Sequence, residues 1–300
     1  MTQAEPQQIN TLGIVGLGLI GASLASALRQ RGVPLRVLGT DSHVESAQKA
    51  LALGYIDEVV DALPELCSRV DVLVLATPVL TLPALMQQLA PTLHNGTTVL
   101  TDVGSVKGSV RQAALDVFGT LPAWLVPGHP IAGSEYSGVD AADPSLYDRH
   151  QVILTPEVDT DPQATAAVRW LWEQVGASVQ LMTVDRHDEV LAATSHLPHL
   201  LAFALVDSLA QESEKYEIFH YAAGGFRDFT RIAASDPTMW HDIFLANDEA
   251  TLDVLDRYMD HLQTVRQALA QRDGKTLSGV FSRAKHARDY FSRLLDERAG

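Results

Sequence analysis

The chain has 300 residues, enough for two domains, and 46% of them are apolar, which is ample for a hydrophobic core. Its 22 Lys and Arg against 37 Asp and Glu give a formal charge of −15. So acidic a surface argues against nucleic acid or an anionic membrane as a partner.

Several features favour a cytoplasmic protein. The only cysteine, Cys67, excludes an internal disulfide and fits a reducing compartment. The first ten residues, MTQAEPQQIN, contain neither the basic nor the apolar segment of a secretory signal. No run approaches the roughly 18 apolar residues of a membrane span, so no membrane partner is predicted.

The first informative motif is a glycine-rich turn. A short apolar run leads into Gly16-x-Gly18-x-x-Gly21, and an Ala/Leu-rich helical pattern begins at Leu19. This order of strand, turn and helix is typical of a dinucleotide site, in which the glycines allow a sharp turn, close approach of a pyrophosphate and close packing of the helix. The N–H groups at the helix start, those of Leu19 and Ile20 among them, favour the anion.

Asp41 indicates which dinucleotide binds. It lies 20 residues after Gly21, at the end of a second apolar run, 35–40. A carboxylate there accepts hydrogen bonds from the ribose hydroxyls and repels a 2′-phosphate, which predicts NAD rather than NADP. The alternative is a glycine-rich turn in an unrelated α/β domain.

From residue 11 to about 184, apolar runs alternate with helical patterns. This alternation predicts a doubly wound, mostly parallel sheet with helices on both faces. The predicted strands are 11–15, 35–40, 70–76, 97–102, 124–127, 151–155 and 178–182, and the predicted helices are 19–31, 43–53, 79–90, 106–118 and 162–175.

After Asp185 the strand signals stop. Helices are predicted over 185–211, 214–224, 226–234, 238–271 and 275–297, and Pro198 should kink the first of them or mark a junction. The sequence therefore predicts a dinucleotide-binding α/β domain over 1–184 and an all-α domain over 185–300.

Ligands of such sheets bind at the carboxyl ends of the strands, so the residues there are candidates for chemistry. Thr77 and Pro78 follow one predicted strand, Ser105 follows another and His129 a third. His129 could accept a proton at neutral pH beside a nicotinamide, or it could simply cap a turn. Ser105 could equally N-cap the helix after it, and Lys107 is interpreted as an ordinary first-turn lysine.

The helical half contributes histidines and arginines. His196 and His199 could share a helix face, but one cysteine and no H-E-x-x-H motif favour a cleft-lining or buried histidine over a zinc pair, and no metal is predicted. Arg227 and Arg231 form a rare basic focus that could bind a substrate carboxylate, the alternative being an ion pair between domains or subunits. Trp240 is either a cleft wall or a core aromatic.

Together these motifs resemble the prephenate/arogenate dehydrogenase family of tyrosine biosynthesis, over roughly residues 11 to 290. Beyond the glycine-rich turn, the matching segments are Asp102-Val-Gly-Ser105-Val-Lys107-Gly, Gly128-His129-Pro-Ile-Ala-Gly-Ser-Glu135, Ser195-His196-Leu-Pro-His199 and Gly225-Phe-Arg227-Asp228-x-Thr-Arg231. The resemblance implies a Rossmann domain followed by a helical domain that forms a homodimer. It also implies NAD(P)-dependent oxidative decarboxylation of prephenate or arogenate.

The resemblance assigns roles to single residues. His129 is implied to be catalytic, and Ser105 to bind the ring hydroxyl or orient that histidine. Arg231 is implied to bind a substrate carboxylate, while Arg227 or its neighbour Asp228 holds the domain interface. The full implied substrate set is Glu135, Ser195, His199, Arg231 and Arg227.

Two other functions stay open at this point. A β-hydroxyacid dehydrogenase needs a lysine on the first long helix of its second domain, and residues 185–211 contain histidines but no lysine. A non-catalytic NAD-binding sensor is opposed only by the complete set of site residues. Neither a fused mutase nor a regulatory domain is expected, and the sequence does not choose between prephenate and arogenate.

Overall fold

The computed structural model describes residues 9–94, 97–134, 136–212 and 214–299. The chain forms two compact units, Met1–Asp248 and Glu249–Gly300. Every strand of the described chain lies in the first unit, and the second consists of two long helices.

A six-stranded parallel sheet is the centre of the first unit, in the order β3-β2-β1-β4-β5-β6. The strands are β1 (Thr11–Val15), β2 (Arg36–Thr40), β3 (Glu58–Val59), β4 (Val72–Leu75), β5 (Val99–Asp102) and β6 (Leu125–Val126), and the connecting helices are α1 (Leu19–Gln30), α2 (Val44–Ala52), α3 (Leu63–Ser68), α4 (Leu82–Leu93) and α5 (Lys107–Phe118). The strand order reverses between β1 and β4, which leaves a crevice at the carboxyl ends of these two strands.

The solid apolar runs of the sequence explain why this sheet is covered on both faces. All four residues of β4 and the last four of β1 are buried, and an apolar cluster lies on each side of the sheet. Strands buried on both faces need apolar residues at every position, and helices on both sides supply the cover. The predicted α/β fold class followed by helices is confirmed.

A second, three-stranded sheet contains the last two predicted strands. β7 (Gly128–Pro130) pairs antiparallel with β8 (Gln151–Leu154), and β8 pairs parallel with β9 (Ser178–Leu181), after the helix α6 (Pro162–Gln174). The sequence placed these strands in one sheet and missed β3 and β7, which are two and three residues long. Strands this short carry no periodicity to detect.

The helices after residue 183 begin with a continuous but irregular segment. It consists of α7 (Val184–Leu191), a π-helical turn (Ala192–His196) and α8 (Leu197–Glu212). Pro198 has no N–H to donate to the preceding turn, and the helix widens directly before it, as its predicted kink anticipated.

The remaining helices are divided differently from the prediction, except the last, which is slightly longer than predicted. They are 3₁₀ turns at Glu214–Tyr221 and Arg231–Ala234, and helices α9 (Gly224–Thr230), α10 (Pro237–Ala246), α11 (Asp248–Ala270) and α12 (Gly274–Ala299). The predicted single helix over 238–271 is wrong, because the chain leaves helical geometry at Asn247 (φ −125°, ψ 43°).

One helical segment, Val184–Gln211, is long and apolar enough to cross a membrane by length and composition alone. Histidines and small polar residues interrupt its apolar run, so it was not predicted as a membrane span. Its first two turns are hydrogen-bonded to α5 through Asp188, so this part of the segment packs against α5 in the first unit.

Candidate active site

The glycine-rich turn has the geometry that a bound phosphate requires. Gly16 has a φ of +95°, and a Cβ there would lie 2.4 Å from the carbonyl oxygen of Ala76. A Cβ on Gly21 would lie 2.0 Å from the carbonyl oxygen of Gly16, whereas a Cβ on Gly18 would meet nothing within 4 Å among the described residues. The turn is therefore tightly packed at Gly16 and Gly21 and open at Gly18, directly before α1, which begins at Leu19 without a side-chain cap.

Asp41 lies beside this turn, directly after β2. Its carboxylate accepts hydrogen bonds from the backbone N–H of Leu17 at 2.7 Å and of His43 at 2.8 Å. These bonds fix the carboxylate against the glycine-rich turn. A carboxylate offers about four acceptor positions, so capacity remains for the hydroxyls of a ribose.

A cavity of about 400 Å³ opens at the carboxyl ends of the parallel strands, in front of the turn. Its wall is built from six chain segments that are far apart in sequence. The lining residues that bear on the chemistry are Gly18, Leu19, Ile20, Thr77, Pro78, Ser105, His129, Ser195, His196, Asp236, Met239 and Trp240. The crevice at the carboxyl ends of β1 and β4 is therefore part of this cavity, as expected for this fold.

His129 enters the cavity wall from β7 and is the outer member of a chain of three side chains, which we call the histidine relay. Its Nδ1 lies 2.9 Å from Nε2 of His187, whose own Nδ1 lies 2.7 Å from Oδ1 of Asp188. Burial lowers the pKa of His129 well below its usual value, and the neighbouring His187 and Lys107 add to the effect. His129 is therefore neutral at pH 7 and can accept a proton or a hydrogen bond.

Asp188 also caps α5, the helix that follows Ser105. Its Oδ1 accepts from the N–H of Lys107 at 2.9 Å and its Oδ2 from the N–H of Gly108 at 2.7 Å. The N-cap residue is Val106, which makes no side-chain cap bond, so the alternative that Ser105 is the N-cap is wrong. The Ser105 side chain instead belongs to the cavity wall.

Lys107 is not the ordinary first-turn lysine of the sequence interpretation. Its side chain is fully buried and its Nζ donates to Oδ2 of Asp102 and, at 2.6 Å, to the carbonyl oxygen of Gly128. Burial lowers the pKa of Lys107, and the Asp102 carboxylate works against that shift. This paired, buried cation braces the backbone on which His129 stands, and it is no longer available to a substrate carboxylate.

The two predicted histidines of the helical segment take separate partners. His196 is 1% exposed, and its Nδ1 lies 3.1 Å from Nδ2 of Asn247. His199 stacks on Trp240 with 3.7 Å between ring centroids, and its Nδ1 donates to the carbonyl oxygen of Ser195 at 2.9 Å. Among the described residues, no group of three His, Cys, Asp or Glu side chains could hold a metal ion.

Comparison with known proteins identifies the family. Residues 24–181 match the model for the prephenate dehydrogenase nucleotide-binding domain, and residues 183–283 match the model for the prephenate dehydrogenase dimerization domain. The chain belongs to the prephenate dehydrogenase family.

Individual family members agree over nearly the whole chain. Cyclohexadienyl dehydrogenase of Zymomonas mobilis is 38% identical over 92% of this chain and 94% of its own. Prephenate dehydrogenase of Bacillus subtilis is 37% identical over 94% of this chain and 76% of its own. The crystal structure of prephenate dehydrogenase from A. aeolicus in complex with hydroxyphenyl propionate and NAD+ is 37% identical, with a TM-score of 0.87, and covers 94% of this chain and 98% of that one.

Not every residue implied by the family resemblance lies in the cavity wall. Ser105, His129 and Ser195 do, and Trp240 is confirmed as a wall residue that is also buried. Glu135 lies outside the described residues.

The two arginines and His199 are not part of the cavity wall. Arg227 is largely exposed, with its Nε 3.0 Å from Oδ1 of the adjacent Asp228. Arg231 is also exposed, but it lies close enough to His199 for its charge to lower the pKa of that histidine, in addition to the larger effect of burial. His199 stacks in turn on the wall residue Trp240.

The sequence analysis missed His187, Asp188 and Asn247 as site residues. Asn247 donates from Nδ2 to the carbonyl oxygen of Asp188 at 3.1 Å, in addition to its contact with His196. Each of the three is fully or nearly fully buried and polar. The signal available in the sequence was the adjacent pair His187 and Asp188 on the first helix after the last strand. Such residues can hydrogen-bond each other, and charged residues are rarely buried without a partner of this kind.

Proposed function

We propose that this protein is an NAD-dependent dehydrogenase that converts prephenate to 4-hydroxyphenylpyruvate by oxidative decarboxylation, in tyrosine biosynthesis. The observation that carries the proposal is one cavity whose wall contains both a neutral, half-buried histidine and the open side of a dinucleotide turn. Family membership supports it, as does the A. aeolicus relative, whose crystal structure contains NAD+ and hydroxyphenyl propionate.

The residues present fit NAD. The turn is open only at Gly18, α1 begins there with uncapped N–H groups, and Asp41 is fixed beside it. NAD, when bound, supplies the acceptor for the hydride. Gly16, Gly18, Leu19, Ile20 and Gly21 would hold the pyrophosphate, Asp41 the ribose, and Thr77 and Pro78 the far side of the crevice.

NAD should be preferred to NADP because the Asp41 carboxylate would repel a 2′-phosphate and lose its ribose hydrogen bonds. Comparing kcat/KM for the two cofactors tests this directly. An Asp41→Asn variant should narrow the difference, and a native preference for NADP would remove Asp41 from this role.

The chain's own residues account for the proton. The substrate hydroxyl becomes acidic as hydride departs from its carbon, and His129 accepts that proton or its hydrogen bond in the transition state. The carbon–carboxylate bond then breaks, its electron pair enters the ring, and carbon dioxide leaves. The phenol oxygen of the product carries a proton again, so His129 returns to its neutral form. Ser105, in the same wall, would hold the hydroxyl or orient the histidine.

Prephenate carries two carboxylates, and none of the described residues that line the cavity is a lysine or an arginine. We assign carboxylate binding to Arg231, whose charge acts on His199, the histidine that stacks on Trp240. Ser195, His199 and Glu135 would complete the substrate set, and Arg227 would hold an interface through its pair with Asp228.

Arogenate is the main alternative substrate, since the Z. mobilis relative is named a cyclohexadienyl dehydrogenase. Incubating the purified protein with NAD and either prephenate or arogenate, and measuring NADH by absorbance and the aromatic product by chromatography, separates these activities. Reduction of NAD with a β-hydroxyacid only would overturn the proposal in favour of another dehydrogenase. No reduction of NAD with any of these substrates would overturn it in favour of a sensor.

The proposal includes a cytoplasmic homodimer, with 1–184 as the dinucleotide domain and 185–300 as the helical domain. The match of residues 183–283 to a dimerization domain supports it. So do the large apolar side chains exposed on the last two helices, which are Leu252, Met259, Leu262, Leu269, Phe281, Tyr290, Phe291 and Leu295. A monomer in light scattering at micromolar concentration would contradict it.

A further inference from the structure

We propose that His187 and Asp188 are positioning residues that set the tautomer of His129, and that the same Asp188 carboxylate places Ser105. The inference rests on the proposed function for its kinetic consequence. Its structural content, the position of one proton on His129, can be measured without substrate.

The direction of each hydrogen bond follows from the inner end of the relay. An ionised carboxylate can only accept hydrogen bonds. Burial works to raise the pKa of Asp188, but bonds from His187 and from the amides of Lys107 and Gly108 outweigh it and hold that pKa below its usual value. Asp188 is therefore ionised at neutral pH, and the 2.7 Å contact from its Oδ1 requires His187 to carry its proton on Nδ1.

The contact between His187 and His129 makes the position of the proton on His129 depend on that of His187. Burial lowers the pKa of His187, so its ring is neutral and carries one proton only. With that proton on Nδ1, its Nε2 must accept, and the 2.9 Å contact requires His129 to donate from Nδ1. Nε2 of His129 is then a lone pair, and no described residue is hydrogen-bonded to it. This is the atom that would receive the substrate's hydroxyl proton.

The charged and titratable groups around the relay favour this arrangement. His187 is fully buried and Asp188 is 8% exposed, so water does not compete for their bonds. Burial and the Lys107 ammonium, which is paired with Asp102, both lower the pKa of His129, and this disfavours a second proton on its ring. Asn247 holds the backbone carbonyl of Asp188 from the other side.

The Asp188 carboxylate also acts on the segment that contains Ser105, the other residue with an implied catalytic role. Its two oxygens hold the first two N–H groups of α5, and Ser105 lies two residues before the first of them. The carboxylate comes so close that a Cβ on Gly108 would lie 2.7 Å from its Oδ2. One side chain thus fixes both the ring of His129 and the strand end that presents Ser105 to the cavity.

Asp188→Asn tests the relay because it keeps the shape and reverses one bond. With the amide oxygen kept on the N–H of Gly108, the amide NH₂ would replace Oδ1 and face both Nδ1 of His187 and the N–H of Lys107. His187 would then donate from Nε2, and His129 would hold its proton on Nε2 and lose the lone pair. We expect kcat to fall by about 10²–10⁴ while the KM for substrate and NAD changes less than about threefold.

The decisive readout is the tautomer itself. In protein labelled with ¹⁵N-histidine, two-bond ¹⁵N–¹H spectra distinguish a protonated from an unprotonated ring nitrogen, and the His129→Asn spectrum assigns the signal. We expect His129 protonated on Nδ1 in the native protein and on Nε2 in Asp188→Asn. A purely structural role for Asp188 would leave the tautomer unchanged. Either that result or a native protein protonated on Nε2 overturns the proposal.

Two variants of His187 decide the case if Asp188→Asn does not fold. His187→Gln keeps an acceptor where Nε2 stood and should retain kcat within about tenfold, whereas His187→Phe keeps the ring volume, removes the acceptor and should lose about 10² or more. Equal kcat values for the two variants would overturn the proposal. If the native protein reduces NAD with neither prephenate nor arogenate, the proposed function fails, but the spectra still test the tautomer.

Discussion

The histidine relay and the segment Gly224–Ala234 both serve the proposed reaction, yet they are built in opposite ways. In the relay, every ring and carboxylate from His187 inward is buried and hydrogen-bonded. In residues 224–234, all of which the structure describes, no residue is buried, and the Arg227 side chain is 80% exposed.

The difference reflects what each region has to do. Accepting a proton at one atom requires a fixed tautomer, and a low-dielectric surrounding keeps the histidine neutral. Capturing a dianion requires a cation that stays charged and hydrated until the substrate arrives, and an exposed arginine does so without a desolvation cost. The buried region should therefore govern kcat and stability, and the exposed region substrate binding.

His129→Asn should produce the largest effect, a fall in kcat of about 10²–10⁴ with little change in substrate KM. The asparagine cannot accept a proton where charge develops in the transition state. Steady-state kinetics with NAD and prephenate measure it. A variant with near-native kcat would show that the buried region does not govern the chemical step.

The buried region should also make the protein sensitive to acid. Burial lowers the pKa of His196 to about 4 from an ordinary value of about 6.5, so the native state favours its neutral form. Its contribution is complete above pH 6.5 and is lost as the pH falls from 6.5 toward 4, by about 3 kcal/mol of unfolding free energy. Urea unfolding across this range should show stability falling with pH.

Two variants isolate the His196 contribution. His196→Gln should make this pH dependence shallower, because the buried titrating group is gone. His241→Gln, which changes a histidine whose side chain is 65% exposed, should leave the slope as in the native protein. An unchanged slope in His196→Gln would mean that the acid sensitivity arises elsewhere.

In the exposed region, Arg231→Ala should raise the KM for prephenate by about ten- to a hundredfold, with a smaller fall in kcat and no change in the KM for NAD. A charge-assisted hydrogen bond of this kind contributes about 1.5–3 kcal/mol both before and during hydride transfer. Arg227→Ala is the matched control, four residues away on the same segment. If Arg227→Ala raised KM and Arg231→Ala did not, the two assignments would be exchanged.

Ser105→Ala should have the smallest effect, a fall in kcat of about two- to tenfold, since one neutral hydrogen bond contributes about 0.5–1.5 kcal/mol. Ser109→Ala is the control, because that hydroxyl donates to the carbonyl oxygen of Val106 at 3.0 Å, within α5. Equal kcat values in both variants would remove Ser105 from the mechanism and leave the relay as the only catalytic arrangement of the wall.

Much of the fold was predictable because local sequence patterns specify its elements. The apolar runs of β1, β2, β4 and β5, the three glycines and the alternation of strand and helix led to the correct fold class and family, within a few residues at most boundaries. The predictions failed where local signals are weak. β7 is three residues long and contains His129 and Pro130, and the break at Asn247 follows a helical pattern with no glycine or proline to mark it.

The sequence by itself determined the dinucleotide turn, the family and the candidate status of His129, Ser105 and Arg231, because these depend on residue types at short, characteristic spacings. Only the tertiary structure decided what surrounds them. His187 lies 58 residues from His129, and Asp188 lies 81 residues from Lys107, so no spacing along the chain brings them together. Their contacts exist because α7 packs on α5 beside the second sheet. The Asp188 carboxylate then becomes the partner of two backbone amides and of the His187 ring, and that ring contacts His129.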